Sequence, residues 1–188
     1  MHASTVHDFE FHASPPSWYE VAKLLREQAE ILHANKSTLI AFTDHRGKTT
    51  SRHTTNRGVF LLAGFSLENL LKAFLVYEDP HLIANGALAK KLKTHSLSTL
   101  WLASQLVPYK KRYAATAATL QDGLESWARY PCGLTHQKVI HELVMTEPLW
   151  ENYKSMFSAC GRRLEKLLTK GWVTHRGERH HMRYGADA

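Results

Sequence analysis

The stretch VFLLAGFSLENLLKAFLVY, residues 59–77, decides the fold. It is apolar on almost every side, interrupted mainly by Ser66, Glu68, Asn69 and Lys72. A helix without a wet face belongs at the centre of a helical assembly, covered all round by its neighbours. Glu78, Asp79 and Pro80 end it, because the residue before a proline disfavours helical backbone.

Working outward, the neighbours write narrower stripes. Upstream, Ser17 and Glu20 form a capping-box pattern just after two prolines. Trp18, Val21, Ala22, Leu25, Ala29 and Leu32 then fall at helical spacing. Downstream, Leu97, Leu100 and Trp101 mark a short helix entered through Thr94, His95 and Ser96 and broken by Pro108. Tyr113, Ala117, Leu120, Leu124 and Trp127 write the next, which Pro131, Cys132 and Gly133 stop. A last stripe, Leu149, Tyr153, Met156, Phe157, Cys160, Leu164 and Leu168, ends at Gly171. No repeat and no convincing strand pattern intervene, so the expected fold class is all-α, an up-and-down helical bundle.

One domain is expected over residues 14–171. Residues 1–13 show no period and read as a flexible N-terminal arm. Residues 35–57 are polar and basic with a turn at Asp44-His45-Arg46-Gly47; a mobile loop is favoured over a short hairpin. Residues 172–188 read as a basic, His-rich flexible tail. With 188 residues, 44% hydrophobic and 22% charged, the chain has material for a proper core. No apolar run approaches the ~20 residues that cross a bilayer, and the N-terminus lacks a signal-like apolar segment. Cys132 and Cys160 alone make no disulfide framework. These features predict a cytoplasmic protein without a membrane partner.

The charge is informative. Lys and Arg number 24 against 17 Asp and Glu, for a net +7, with 13 histidines besides. Between His81 and Gln121 no acidic residue occurs, while Lys90, Lys91, Lys93, Lys110, Lys111 and Arg112 all do. A second cluster, Lys36, Arg46, Lys48, Arg52 and Arg57, has only Asp44 within it. Such blocks suit a polyanion, nucleic acid first, although solvated surface lysines would look the same.

Chemical motifs are few. Glycine-rich phosphate loops and nucleophile elbows are absent. His136 and His141 are five apart and would leave a helix on different faces, whereas zinc-protease histidines need four. No metal and no cofactor is therefore expected. Glu68 with Lys72 (four apart) and Asn69 with Lys72 (three apart) can touch on one helix. Buried in so apolar a segment, they must pair with each other or line a cleft.

Residues 64–73, GFSLENLLKA, resemble the apolar-Glu-x-x-x-Lys helix of HEPN-domain proteins (higher eukaryote and prokaryote nucleotide-binding). His95-Ser96-Leu97 with Leu100 resembles the family's His-polar-Leu helix start, and Arg129-Tyr130-Pro131 its Arg-Tyr-Pro helix end. Together these blocks cover about residues 58–168. The resemblance implies a metal-independent ribonuclease, a toxin or defence effector working as a homodimer through an Arg-x(4–6)-His motif. It would leave 2′,3′-cyclic phosphate ends, and a partner protein such as an antitoxin could restrain it.

Arg129 and His136 fit that motif, the arginine forking onto phosphate and the histidine moving a proton. Arg26/His33, Arg46/His53 and Arg176/His181 fit the spacing as well. Glu68, Asn69, Lys72 and His95 would orient the pair or hold substrate, and the lysine runs would follow the RNA backbone. The alternative is a non-catalytic HEPN module that binds nucleic acid, nucleotide or a partner protein, with Arg129 merely capping its helix.

Overall fold

The run of residues 59–77 lies inside a 23-residue helix, Asn56–Glu78, numbered α3 in the chain. The computed structural model describes residues 5–35, 38–130 and 142–182. Phe60, Ala63, Leu67, Leu70, Leu71, Ala73 and Phe74 of α3 are wholly buried, as the unbroken apolar pattern requires. By length and composition α3 could cross a membrane, but 78% of its most apolar window is buried inside the protein. The charged residues that interrupt the run had hidden this length.

Before α3 come α1 (Val6–His12) and α2 (Pro15–Ala34); after it come α4 (Leu97–Ala103), α5 (Lys110–Glu125) and α6 (Glu147–Lys170). Short 3₁₀ turns at 80–86 and 90–92 bridge α3 and α4. The fold is thus mostly helical. α2 packs along α3 more extensively than any other element, with α5, α4 and α6 covering the remaining sides. Where α3 meets α5, a Cβ on Gly123 would stand 2.9 Å from the Phe60 ring, so only glycine allows this approach.

Two small antiparallel hairpins complete the structure: β1 (Leu39–Thr43) with β2 (Thr49–His53), and β3 (Trp172–Val173) with β4 (Arg179–His180). In the first, Leu39 pairs with His53 and Thr43 with Thr49. Asp44 closes its turn, accepting the N–H groups of Arg46 (2.8 Å) and Lys48 (2.9 Å). Every residue of β1 is exposed.

These elements correct several expectations. Residues 6–12 of the expected arm are helical, started by a capping box in which Thr5 and Asp8 bond reciprocally. The Ser17/Glu20 pattern is not a cap: α2 begins at Pro15 behind Ser14. The 35–57 stretch carries a hairpin and the first turn of α3 rather than a loop throughout. Residues 172–182 of the expected tail fold into the second hairpin, whose Met182 N–H bonds the Leu168 carbonyl.

The Ser66 and Tyr153 hydroxyls of the core are paired, whereas the indole N–H groups of Trp101 and Trp127 have no hydrogen-bond partner among the described residues. Tyr153 and Ser66 hydroxyls meet at 2.5 Å across α6 and α3. Burial drives the phenol well above its ordinary range, with Ser66 pulling slightly back. Burial likewise pushes the Cys160 thiol up to about 12. Thiolate is the reactive form, so native protein at pH 8 should leave Cys160 unmodified by iodoacetamide, while denaturant exposes it. Mass spectrometry of the peptide containing Cys160 checks this; rapid native labelling would mean that α6 opens locally.

Candidate functional site

Glu68 and Lys72 lie one turn apart on α3, and the sequence offers no water-facing side of that helix for them. They resolve the problem by pairing: Lys72 Nζ stands 2.5 Å from Glu68 Oε1, with side chains 6% and 5% exposed. The ammonium also rests over the Trp18 ring of α2, 5.3 Å from its centroid. Glu68 Oε2 takes a third group, His95 Nδ1 at 2.9 Å. His95 sits just before the Ser96 cap of α4, its side chain half exposed and its ring edge-on to Phe65.

The arrangement has a chemical consequence. An ionised carboxylate only accepts hydrogen bonds, so it holds the proton on Nδ1 and leaves Nε2 as the basic nitrogen. A carboxylate that orients an imidazole in this way readies it for proton transfer. Three of the four expected orienting residues therefore converge. Asn69 turns away: its Nδ2 donates to the Phe65 carbonyl of its own helix, and it borders a cavity of about 240 Å³ beside Trp18 and Leu88.

Arg129 lies elsewhere. It is exposed in the turn that follows α5, with its guanidinium 5.4 Å from the Tyr130 ring centroid. No carboxylate neutralises it among the described residues. The Tyr130 carbonyl accepts a hydrogen bond from Arg57 Nη1 at 3.3 Å, which fixes this turn at the start of α3. Glu68 lies eleven residues further along that helix, about 16 Å at 1.5 Å per residue. No contact joins Arg129 to His95 among the described residues. His136 falls outside the described residues.

The lysine runs divide. Lys90, Lys91, Lys93, Lys111 and Arg112 are exposed, whereas Lys110 is half-buried with its ammonium on the Ser104 carbonyl. In the second basic cluster, Arg52 (3.0 Å) and Arg57 (2.8 Å) share the single carboxylate of Glu142, whose side chain is 6% exposed, so the node keeps one net positive charge. Asn56 completes that node, donating to Glu142 and to the Leu143 carbonyl while accepting the Met145 N–H. Local charge counting missed it because Glu142 lies some 85 positions away. Sequence reading also missed Glu78, whose carboxylate accepts the Ser104 hydroxyl and the Gln105 N–H. Nothing local marks such distant partners. Comparison with protein-family models, characterised proteins and solved structures finds no match for this chain.

Proposed function

We propose that this chain is a metal-independent ribonuclease of the HEPN type, a cytoplasmic homodimer built on an up-and-down bundle. The observation that carries this reading is the contrast among its arginines. Arg52 and Arg57 share Glu142, while Arg129, like Arg112, Arg162 and Arg163, stands exposed with no carboxylate partner among the described residues; unlike those three it also has a histidine at the motif spacing, His136. An exposed, uncommitted guanidinium is free to fork onto a phosphate. In this reading His136 takes the proton of the ribose 2′-hydroxyl, that oxygen attacks phosphorus, and the departing 5′-oxygen is protonated. Two chains supply the Arg/His pairs to one cleft, and the exposed lysines at 90–93 and 111 hold the RNA backbone.

A second reading, a non-catalytic RNA-binding module, is favoured by one specific observation. Both oxygens of Glu68 are already occupied by Lys72 and His95, as in an internal lock that fastens α4 to α3. One experiment separates the two readings. RNA incubated with the protein in EDTA should be cut, leaving 2′,3′-cyclic phosphate ends. Intact RNA whose affinity falls steeply between ~50 and ~200 mM salt would select the binding module instead. Absence of both cleavage and salt-sensitive binding would remove both.

A further inference from the structure

The outer edge of the first hairpin is open. Among the described residues β1 pairs with β2 alone, and Leu39, Ile40 and Phe42 all stand exposed. The strand, Leu39-Ile40-Ala41-Phe42-Thr43, holds no charge and no proline. Edge strands are usually guarded by a lysine, a proline or a bulge, because their unpaired N–H and C=O groups invite another strand. β1 has none of these guards: its register with β2 runs unbroken from Leu39–His53 to Thr43–Thr49.

The hydrogen bonds of the hairpin fix which groups face outward. The Asp44 N–H bonds the Lys48 carbonyl, and the Thr54 N–H bonds the Thr38 carbonyl, each at 3.0 Å. In an antiparallel ladder the bonded pairs recur at every second residue. Ile40 and Phe42 therefore turn their backbone groups to β2, while Leu39, Ala41 and Thr43 turn theirs to the open edge. A partner for this edge must offer outward backbone groups at the same alternate spacing, with apolar side chains between them. Phosphates offer neither, and a second copy of β1 offers both. Antiparallel about Ala41, Leu39 of one copy meets Thr43 of the other and Ala41 meets Ala41, so every outward group is bonded. Between them Ile40 of one copy faces Phe42 of the other as a non-bonded pair, the kind in which side chains lie closest. Such an aromatic and β-branched pair stabilises a sheet. The two turns, with Arg46 and Lys48, point in opposite directions, which keeps these cations apart.

We propose that two copies of this chain dimerise by pairing β1 with β1 across a two-fold axis, which joins two hairpins into one four-stranded antiparallel sheet. Like-on-like pairing closes, whereas β1 laid on the β2 edge of the next copy would continue as an open filament. This contact rests on the homodimer reading above and gives it a surface; it does not depend on RNA cleavage. The hairpin leads into α3, whose Arg57 bonds the Tyr130 carbonyl next to Arg129, so the contact and the Arg129 turn share one end of that helix. A five-residue strand spans about 16 Å. So short an edge makes a weak interface, with an expected Kd of about 1–100 µM.

Sedimentation equilibrium of the full chain without RNA should show monomer and dimer in exchange. Amide hydrogen exchange at Leu39, Ala41 and Thr43 should slow as concentration rises. Ala41→Pro removes an outward N–H and no bond to β2, a place where an edge strand tolerates proline. It should weaken the dimer at least about tenfold. Ser51, opposite Ala41, faces the outer edge of β2 in the same way, so Ser51→Pro should leave the dimer intact. Should Ala41→Pro disturb the hairpin, charge decides the matter. Ala41→Glu and Ala41→Lys each set like charges directly opposite one another and should weaken the dimer, while an equimolar mixture of the two should restore it. A wild type that stays monomeric at about 200 µM overturns the proposal. So do full dimerisation of a folded Ala41→Pro variant, a mixture that fails to recover, or protection of the β1 amides by single-stranded oligouridylate in a monomeric chain, which would assign the edge to RNA. RNA cleavage by monomeric Ala41→Pro would remove the shared cleft of the ribonuclease reading and leave this interface standing.

Discussion

Glu68→Ala should lower the stability of the fold by about 3–5 kcal/mol, because it strands the Lys72 ammonium inside the core. The size of the effect follows from the burial of both partners, 6% and 5% exposed, and from their 2.5 Å contact. An exposed pair of the same type would contribute at most about 1 kcal/mol. Urea unfolding measures the difference. The diagnostic comparison is the double variant Glu68→Ala/Lys72→Met, in which no charge is left without its partner. It should recover most of the loss, since replacing a buried pair by apolar groups is often neutral or better. A Glu68→Ala loss below ~1 kcal/mol would instead mean that the Lys72 ammonium swings out to water. His95→Ala should cost much less than Glu68→Ala, because half of that ring is already in solvent.

His136→Ala should reduce RNA cleavage by about a hundredfold or more, the usual contribution of one general acid or base. Arg129→Lys should also impair cleavage, since an ammonium cannot reproduce the planar fork that holds two phosphate oxygens. Arg129 is exposed, so unfolding of this variant should match the wild type. The pairing of results matters. Loss of cleavage with unchanged stability places Arg129 on the substrate, whereas loss of stability places it as a cap for the turn after α5. If His136→Ala cleaves normally while His95→Ala does not, proton transfer belongs to the imidazole held by Glu68. Arg129 would then hold the RNA without contact to that imidazole.

What could be read from the sequence follows the range of the interactions involved. The α3 run and the α6 stripe are legible because their apolar residues recur within the segment itself, as do the Ser96 entry to α4 and the Gly171 end of α6. The Glu68–Lys72 pair is legible for the same reason: one helical turn joins them. α1 is not legible from periodicity, because its seven residues bury no side chain fully and it depends on a cap and on distant partners. The first hairpin is hidden by its composition, since all of β1 is exposed and no face alternates into a core. Arg52 and Arg57 were miscounted as free cations for a related reason. Their counter-ion, Glu142, is brought to them only by the folded chain.

The Glu10–Arg176 pair joins residues that are synthesised 166 positions apart. During translation α1 emerges well before the hairpin of β3 and β4 that carries Arg176. Until residues 172–182 arrive, the Glu10 carboxylate lacks its His175 and Arg176 partners. Closing so long a loop is slow relative to forming α3 or α6, whose contacts are local. The clasp therefore forms only after residues 172–182 have emerged. A chain interrupted before Trp172 would retain its central helices but display an uncovered α1, a feature that quality-control proteases could recognise.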